Sequence, residues 1–120
     1  MALNSYLEEL KIDSDWILAA IGENVMISDL QHNLIWMSPP ARKLFAEMSS
    51  VTGITPDRMM GKSIGPYHKD FARVSEILRN PGKLPHTGYV QIGDFYARLT
   101  ATAITDPDGT MVANMVVWRN

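Results

Sequence analysis

Three histidines, His32, His68 and His86, are the side chains of this chain best suited to bind a metal or move a proton near neutral pH. They are well separated, and the chain has no cysteine, which disfavours a structural zinc site, a disulfide and a cysteine nucleophile. His68 and Asp70 are near enough to form an acid–base pair, but no nucleophile, metal cluster or phosphate-binding loop accompanies them. We therefore expect no enzymatic activity.

A single histidine predicts little by itself, because most loop histidines are solvated or hydrogen-bonded. His68 lies in the segment GPYHKDF at 65–71, between a polar loop and a short amphipathic helix. His32 lies in a turn between two short strands, where we expect it to be solvated, and His86 is expected to be structural or exposed. The covalent haem-attachment sequence C-x-x-C-H is absent, so any haem has to be bound non-covalently.

The composition is that of one small globular domain, and it narrows the range of partners. The chain has 120 residues, of which 46% are hydrophobic and 20% charged. Its formal net charge of −2 and its lack of Lys/Arg runs argue against binding to nucleic acid or to an anionic membrane surface. No apolar stretch approaches the length of a membrane span, about 18 residues, and the polar, amphipathic segment MALNSYLEELK lacks the apolar core expected of a signal peptide. We expect a cytoplasmic protein.

Hydrophobic periodicity and turn residues predict short helices and two strands in the first two thirds of the chain. Residues 1–22 are expected to form an N-terminal helical cap or linker, interrupted near Ser14, and residues 23–120 the main domain. The further elements predicted there are strands at 24–29 and 33–38, a helix starting at the prolines 39–40, loops with one short helix at 49–66, and a helix at 70–79 capped by Asp70.

The last third of the chain predicts three strands, at 86–92, 95–105 and 110–120. Gly93-Asp94 is a strong two-residue hairpin turn, and apolar residues alternate with more polar ones in the strand that follows it. The expected fold class is α+β: a five-stranded antiparallel sheet with short helices covering one face, preceded by an N-terminal helix. Helices that cross a sheet leave a space where a ligand can bind.

Three segments of the chain resemble the PAS domain, and the resemblance covers about residues 20 to 119. NVMISDLQHNLIWMSPPARKLF (24–45) is similar to the opening of the family, with a strand, a turn, a second strand and a small-residue helix. MMGKSI (59–64) is similar to its conserved loop, and DPDGTMVANMVVWRN (106–120) to its closing hairpin. The resemblance implies the PAS fold and a sensory role.

A subgroup of the family, found in bacterial chemoreceptors and soluble aerotaxis receptors, is closer still. Its pattern is matched here by Gly61 to Ile64, Tyr67-His68-Lys69, His86 to Gly93, and Val116-Val117-Trp118. Some of its members are haem-binding oxygen sensors. For this chain the resemblance implies haem b, with His68 as the ligand of the haem iron and Trp118 facing a bound diatomic gas: O2, CO or NO.

The chain also carries the residue types that such a pocket requires. Haem needs a neutral imidazole on a fixed backbone and an apolar wall, and the indole N–H of Trp118 can only donate a hydrogen bond. His86 is a candidate partner of a haem propionate. The apolar residues expected to line the pocket are Ile64, Phe71, Leu78, Leu99 and Val116.

Two other functions remain open at this stage. The domain can be a cofactor-free dimerisation and signal-relay module that uses the apolar stripe of residues 1–22 as a homodimer interface. It can also hold a small apolar or aromatic metabolite in the same cavity. Flavin is less attractive, since the cysteine of photochemical PAS sensors is absent. In each case a downstream signalling module is the expected partner.

Overall fold

The structure, a computed structural model, describes residues 2–120. It is an α+β fold with one five-stranded sheet, which confirms the expected class. Its helices and strands, in chain order, are α1 (Leu3–Leu10), α2 (Ser14–Ala20), β1 (Asn24–Asp29), β2 (Leu34–Met37), α3 (Pro39–Glu47), α4 (Ser49–Thr52), α5 (Pro56–Met59), a 3₁₀ helix (Gly65–Tyr67), α6 (Phe71–Arg79), a second 3₁₀ helix (Pro81–Lys83), β3 (His86–Ile92), β4 (Phe95–Thr105) and β5 (Met111–Arg119).

The sheet has the strand order β2-β1-β5-β4-β3, and every neighbouring pair is antiparallel. The first strand and the last are therefore neighbours within the sheet. β5, which ends at Arg119, is the central strand, paired with β1 on one side and β4 on the other. β5 is thus hydrogen-bonded to both halves of the sheet.

The register of the strands decides which residues share a face, because side chains of directly opposed residues lie on the same side of a sheet. Trp118 is opposite Leu99 of β4 and Asn24 of β1, and Val116 is opposite Ala101. Trp118 packs against the core cluster that includes Phe45 of α3. Leu99, Val116 and Trp118 therefore belong to the helix-covered face.

Ser38 joins β2 to α3 and explains why the helix begins where it does. Its fully buried hydroxyl accepts hydrogen bonds from the backbone N–H groups of Ala41 (3.3 Å) and Val25 (2.9 Å) and donates to the carbonyl of Glu23 (2.7 Å). The two prolines that follow occupy the first helical positions, where a missing N–H costs nothing. One side chain thus caps α3 and fixes it to β1.

The buried core lies on the helix-covered face of the sheet and is concentrated around β2 and α3. Its buried cluster consists of Leu34, Met37, Ala41, Phe45, Met48 and Met59. These residues come from β2, α3, α5 and the chain between α3 and α4. Farther along the sheet, Val90, Leu99 and Val116 of β3, β4 and β5 are only half-buried, although they are apolar. The helices therefore cover the β3–β5 part of this face less completely than the part around β2.

The strands β1, β3 and β4 have the predicted bounds, while β2 and β5 are shorter than predicted by one residue at each end. The N-terminal segment forms two helices, interrupted close to Ser14 as predicted, and Asp13 is the residue before the second. The division of the chain into a cap at 1–22 and a domain at 23–120 stays a prediction. Among residues 2–120, none of the helices combines the length and the apolar character that crossing a bilayer requires.

Candidate functional site

His68 follows the 3₁₀ helix Gly65–Tyr67 and precedes α6. Its backbone N–H donates to the carbonyl of Gly65 (3.1 Å), and its side chain is half-buried. Burial lowers the pKa of the imidazole below its ordinary value, because removal from water disfavours the charged form. At neutral pH the ring is therefore neutral, which is the form that ligates a metal.

Phe71, the first residue of α6, stacks on the His68 ring. The two ring centroids are 6.2 Å apart, with planes inclined at 22°. Asp70 caps α6, as predicted, by accepting a hydrogen bond from the N–H of Arg73 (3.2 Å). A Cβ on Gly65 would lie 3.2 Å from two ring carbons of Phe71, so the absence of a side chain at Gly65 admits the ring. The 65–71 segment thus folds back on itself around one aromatic side chain.

Trp118 is held on the helix-covered face of β5 with its polar atom unused. Its ring meets Phe45 edge-to-face, with centroids 5.0 Å apart and planes at 83°. The indole Nε1 is buried and has no hydrogen-bond partner. Leaving a buried donor unpaired costs roughly 1–3 kcal/mol, and such groups are rare in folded proteins. An acceptor supplied by a ligand would remove that cost.

The other predicted pocket residues come from two sides of the fold. Leu99 and Val116 share the face of Trp118. Ile64, which precedes the 3₁₀ helix Gly65–Tyr67, packs against the same core cluster as Trp118, and Leu78 of α6 is buried.

His86 begins the edge strand β3 opposite Ala101, and its side chain is exposed. Since Ala101 is also opposite Val116, His86 lies at the rim of the helix-covered face. The roles of all these residues stay predictions.

His32 is not solvated, so that expectation was wrong. Its side chain is only 2% exposed, and its Nε2 is 2.8 Å from the hydroxyl oxygen of Ser75 on α6. Its ring also meets Phe71 edge-to-face, with centroids 5.3 Å apart. Burial, followed by the charge of Arg79, lowers the pKa of His32, while Asp29 opposes the shift. The turn sequence carried no sign of this burial, because the residues that cover His32 come from a helix much later in the chain.

Asn114, like His32, is a buried polar residue whose contacts the sequence analysis missed. It lies on the same face as Val116 and Trp118, and its side-chain Nδ2 donates to the carbonyl of Leu78 (3.0 Å). Its Oδ1 is buried without a partner. Asn114 therefore anchors the end of α6 to the central strand. An asparagine in the middle of an apolar strand was the available signal.

The candidate site offers one half-buried imidazole, that of His68, as a possible metal ligand. Across residues 2–120, no group of three or more His, Cys, Asp or Glu side chains could hold a metal ion. A single neutral imidazole, a half-buried apolar sheet surface and a buried unpaired N–H are the features that non-covalent haem requires of a protein. The residues present therefore fit haem.

No protein-family model matches the sequence, and no curated protein is significantly similar to it. Solved structures are nevertheless similar in fold. The Aer2 receptor of Vibrio cholerae, described as a dual PAS-haem oxygen sensor, is 24% identical with a TM-score of 0.73, over 80% of this chain and 91% of that one. The PAS domain of BvgS from Bordetella pertussis is 14% identical with a TM-score of 0.62, over 97% and 86%.

A sensory box sensor histidine kinase from Vibrio cholerae has a TM-score of 0.57 at 12% identity, over 98% of this chain and 95% of that one. At such identities the likeness concerns the fold. It agrees with the strand order, the central position of β5 and the short helices that cover one face. The fold of this chain is therefore that of a PAS domain.

Proposed function

We propose that this chain is the cytoplasmic sensory PAS domain of a bacterial signalling protein, without enzymatic activity of its own, which binds haem b and senses oxygen or another diatomic gas. The observation that carries the proposal is the buried, unpartnered indole N–H of Trp118. It lies on the same sheet face as the apolar, half-buried Leu99 and Val116. A polar donor on an otherwise apolar wall is what recognition of a small, weakly polar ligand requires.

His68 is the proposed ligand of the iron. Its imidazole is neutral at physiological pH because of burial. Stacking on Phe71 restricts the ring, and the hydrogen bond to Gly65 restricts the backbone. A ligand held in place in this way loses little conformational entropy when it binds.

Haem, when bound at His68, would supply an iron atom that can bind a diatomic gas. Trp118 would donate its N–H to the gas, and this favours a ligand that carries partial negative charge. The position of Trp118 near the end of β5 is suited to transmission, since β5 is hydrogen-bonded to strands on both sides. A downstream signalling module would receive the change through this strand. The likeness in fold to the Vibrio cholerae Aer2 receptor, a dual PAS-haem oxygen sensor, supports the proposal.

An absorption spectrum tests the proposal directly. Protein produced with haem supply should show an intense Soret band, and addition of dithionite followed by air should shift it. His68→Ala should abolish the band, because no other imidazole is expected to replace His68. Lys69→Ala is the matched control: Lys69 is the exposed neighbour of His68, and its loss should leave the spectrum unchanged. A colourless wild-type protein, or a His68→Ala variant with a normal spectrum, would refute the proposal.

A second function, dimerisation and signal relay, is favoured by the exposed apolar side chains of the two N-terminal helices. Trp16 is 58% exposed and Leu10 67%, and Leu3, Ile17 and Ile21 are exposed as well. This function is compatible with haem binding. Sedimentation of the wild-type chain and of Trp16→Glu tests it: a dimer that Trp16→Glu converts to a monomer supports a homodimer through this surface. A wild-type monomer at all concentrations contradicts it.

A further inference from the structure

His32 occupies an unusual position for a residue in a tight turn. Its backbone is left-handed, with a φ of 65°, and its side chain is 2% exposed. The turn itself is closed by neighbouring groups, since Asp29 Oδ1 accepts from the N–H groups of Gln31 (3.0 Å) and Asn33 (2.9 Å). The turn therefore has its own stabilisation, and the inward direction of the His32 ring needs another explanation.

The backbone of His32 holds the chain just before the candidate iron ligand. Its carbonyl accepts a hydrogen bond from the N–H of Ile64 (2.9 Å), the residue that precedes the 3₁₀ helix Gly65–Tyr67. The same stretch is also paired with the turn through Asn33 and Ser63. The start of the segment that carries His68 is thus fixed to the turn of His32.

The side chain of His32 holds the chain just after the candidate ligand. Its Nε2 is 2.8 Å from the hydroxyl oxygen of Ser75, in the second turn of α6. Its ring meets the Phe71 ring at an interplanar angle of 84°, and Phe71 in turn stacks on His68. Edge-to-face and offset-stacked aromatic pairs contribute about 0.5–1.5 kcal/mol each beyond the area that they bury.

We propose that His32 is a positioning residue for His68, because one residue anchors both ends of the 65–70 segment and supports the ring on which His68 stacks. The inference rests on the proposed function as far as haem is concerned. His32 acts through Ile64 and Phe71, without contact to the iron. The residues that orient a metal ligand commonly change metal affinity by about 10- to 100-fold when they are lost.

The test compares His32→Asn, which removes the imidazole ring of His32, with substitutions at other residues that keep this ring. His32→Asn keeps a residue that tolerates the left-handed turn but removes the imidazole. Ser75→Ala removes the hydrogen bond to Nε2 and leaves the ring in place. Gln31→Ala changes an exposed neighbour in the same turn and serves as the matched control. Val25→Ala, buried on the opposite face of the sheet, controls for a general loss of stability.

Four quantities are measured on each variant, two on the haem-free protein and two on the haem-bound protein. On the haem-free protein, NMR measures the exchange of the Ile64 amide and the relaxation of the His68 ring. On the haem-bound protein, transfer to an excess of apomyoglobin measures haem release, and resonance Raman measures the iron–histidine stretching band. We expect His32→Asn to speed the amide exchange, to increase the motion of the His68 ring, to release haem about 10-fold faster and to shift or broaden the band. Ser75→Ala should do the same to a smaller extent.

A merely structural role would give another pattern. If Val25→Ala, at an equal loss of stability, released haem as fast as His32→Asn, the positioning role would be overturned. The same holds if His32→Asn left the His68 ring and the iron–histidine band as in the wild type. If His32→Asn fails to fold, Ser75→Ala decides by the same criteria. A wild-type protein that takes no haem refutes the proposed function alone, and the NMR measurements then decide whether His32 orders His68.

Discussion

Trp118 of β5 and Phe45 of α3 meet edge-to-face, with ring centroids 5.0 Å apart and planes at 83°. The contact joins the central strand to the helix that covers it, while the indole Nε1 has no hydrogen-bond partner. The packing of Trp118 and its proposed role as a donor can therefore be tested separately. A substitution that keeps an aromatic ring but removes the N–H tests the donor role while most of the packing is preserved.

Trp118→Phe should weaken retention of the gas while the haem stays bound. The lost hydrogen bond to a ligand with partial charge is worth about 1.5–3 kcal/mol, so we expect release to be roughly 10- to 100-fold faster. Stopped-flow measurement of oxygen dissociation checks this. Trp36→Phe makes the same chemical change at a half-buried residue on the opposite face of the sheet and should leave the rate as it is. Equal rates in Trp118→Phe and the wild type would rule out a donor role.

The free energy of unfolding of the haem-free protein should fall as the pH is lowered from about 7.5 to 5. Burial lowers the pKa of both His32 and His68 in the folded state, whereas an unfolded histidine titrates near about 6.5. Below that pH the unfolded chain binds protons that the folded chain does not, so protons favour unfolding. The contribution is complete above the unfolded pKa and is lost as the pH falls.

Urea unfolding at several pH values measures this dependence, and His32→Asn and His68→Asn should each make it shallower. The lowered pKa of Asp29, caused first by its hydrogen bond from the backbone of Asn33, acts only in more acidic solution. A pH dependence between 5 and about 7.5 that neither histidine variant reduces would contradict the assignment.

Gly65→Ala should destabilise the protein through Phe71. The new Cβ would lie 3.2 Å from ring carbons of Phe71 and from the hydroxyl of Ser63, which is tighter than ordinary contact. Overpacking of this kind costs about 1–3 kcal/mol. The double variant Gly65→Ala, Phe71→Leu should be more stable than the sum of the two single changes predicts, because the smaller side chain relieves the contact. Additive free energies of unfolding would show that the two residues are not coupled.

Asn114→Ala should lower the free energy of unfolding by about 1–3 kcal/mol, because the carbonyl of Leu78 loses its donor while it stays buried. Asn114→Asp should be more harmful at pH 8 than at pH 5, since a buried carboxylate has a raised pKa and regains a donor when it is protonated. Urea unfolding of both variants at the two pH values checks this. An Asn114→Asp protein whose loss of stability is the same at both pH values would contradict the buried contact.

Local signals in the sequence were sufficient to predict the β3–β4 hairpin. Gly93-Asp94 and the alternation along 95–105 predicted both strands of the hairpin with the bounds that the structure has. This worked because hairpin register depends on the turn and on neighbouring side chains, which are close together in the chain. The capping of α6 by Asp70 was predictable for the same reason.

Motifs far apart in the sequence pointed to His68 and Trp118, but their surroundings came only from the tertiary structure. Nothing near Trp118 in sequence indicates that its N–H is unpartnered, since this depends on how α3 packs against β5. His32 is a second example of a property that local sequence does not show. Its burial and its contact with Phe71 depend on where α6 docks, and local periodicity carries no information about that docking.

The sequence by itself therefore determined the fold class and the strands, and it singled out His68 and Trp118 as candidate site residues. Only the tertiary structure decided that His32, Phe71 and His68 form one continuous group of rings, and that Asn114 anchors α6. The physical reason is that side-chain chemistry and turn geometry are local properties. Burial and the pairing of polar groups are set by contacts between residues that are distant in the chain.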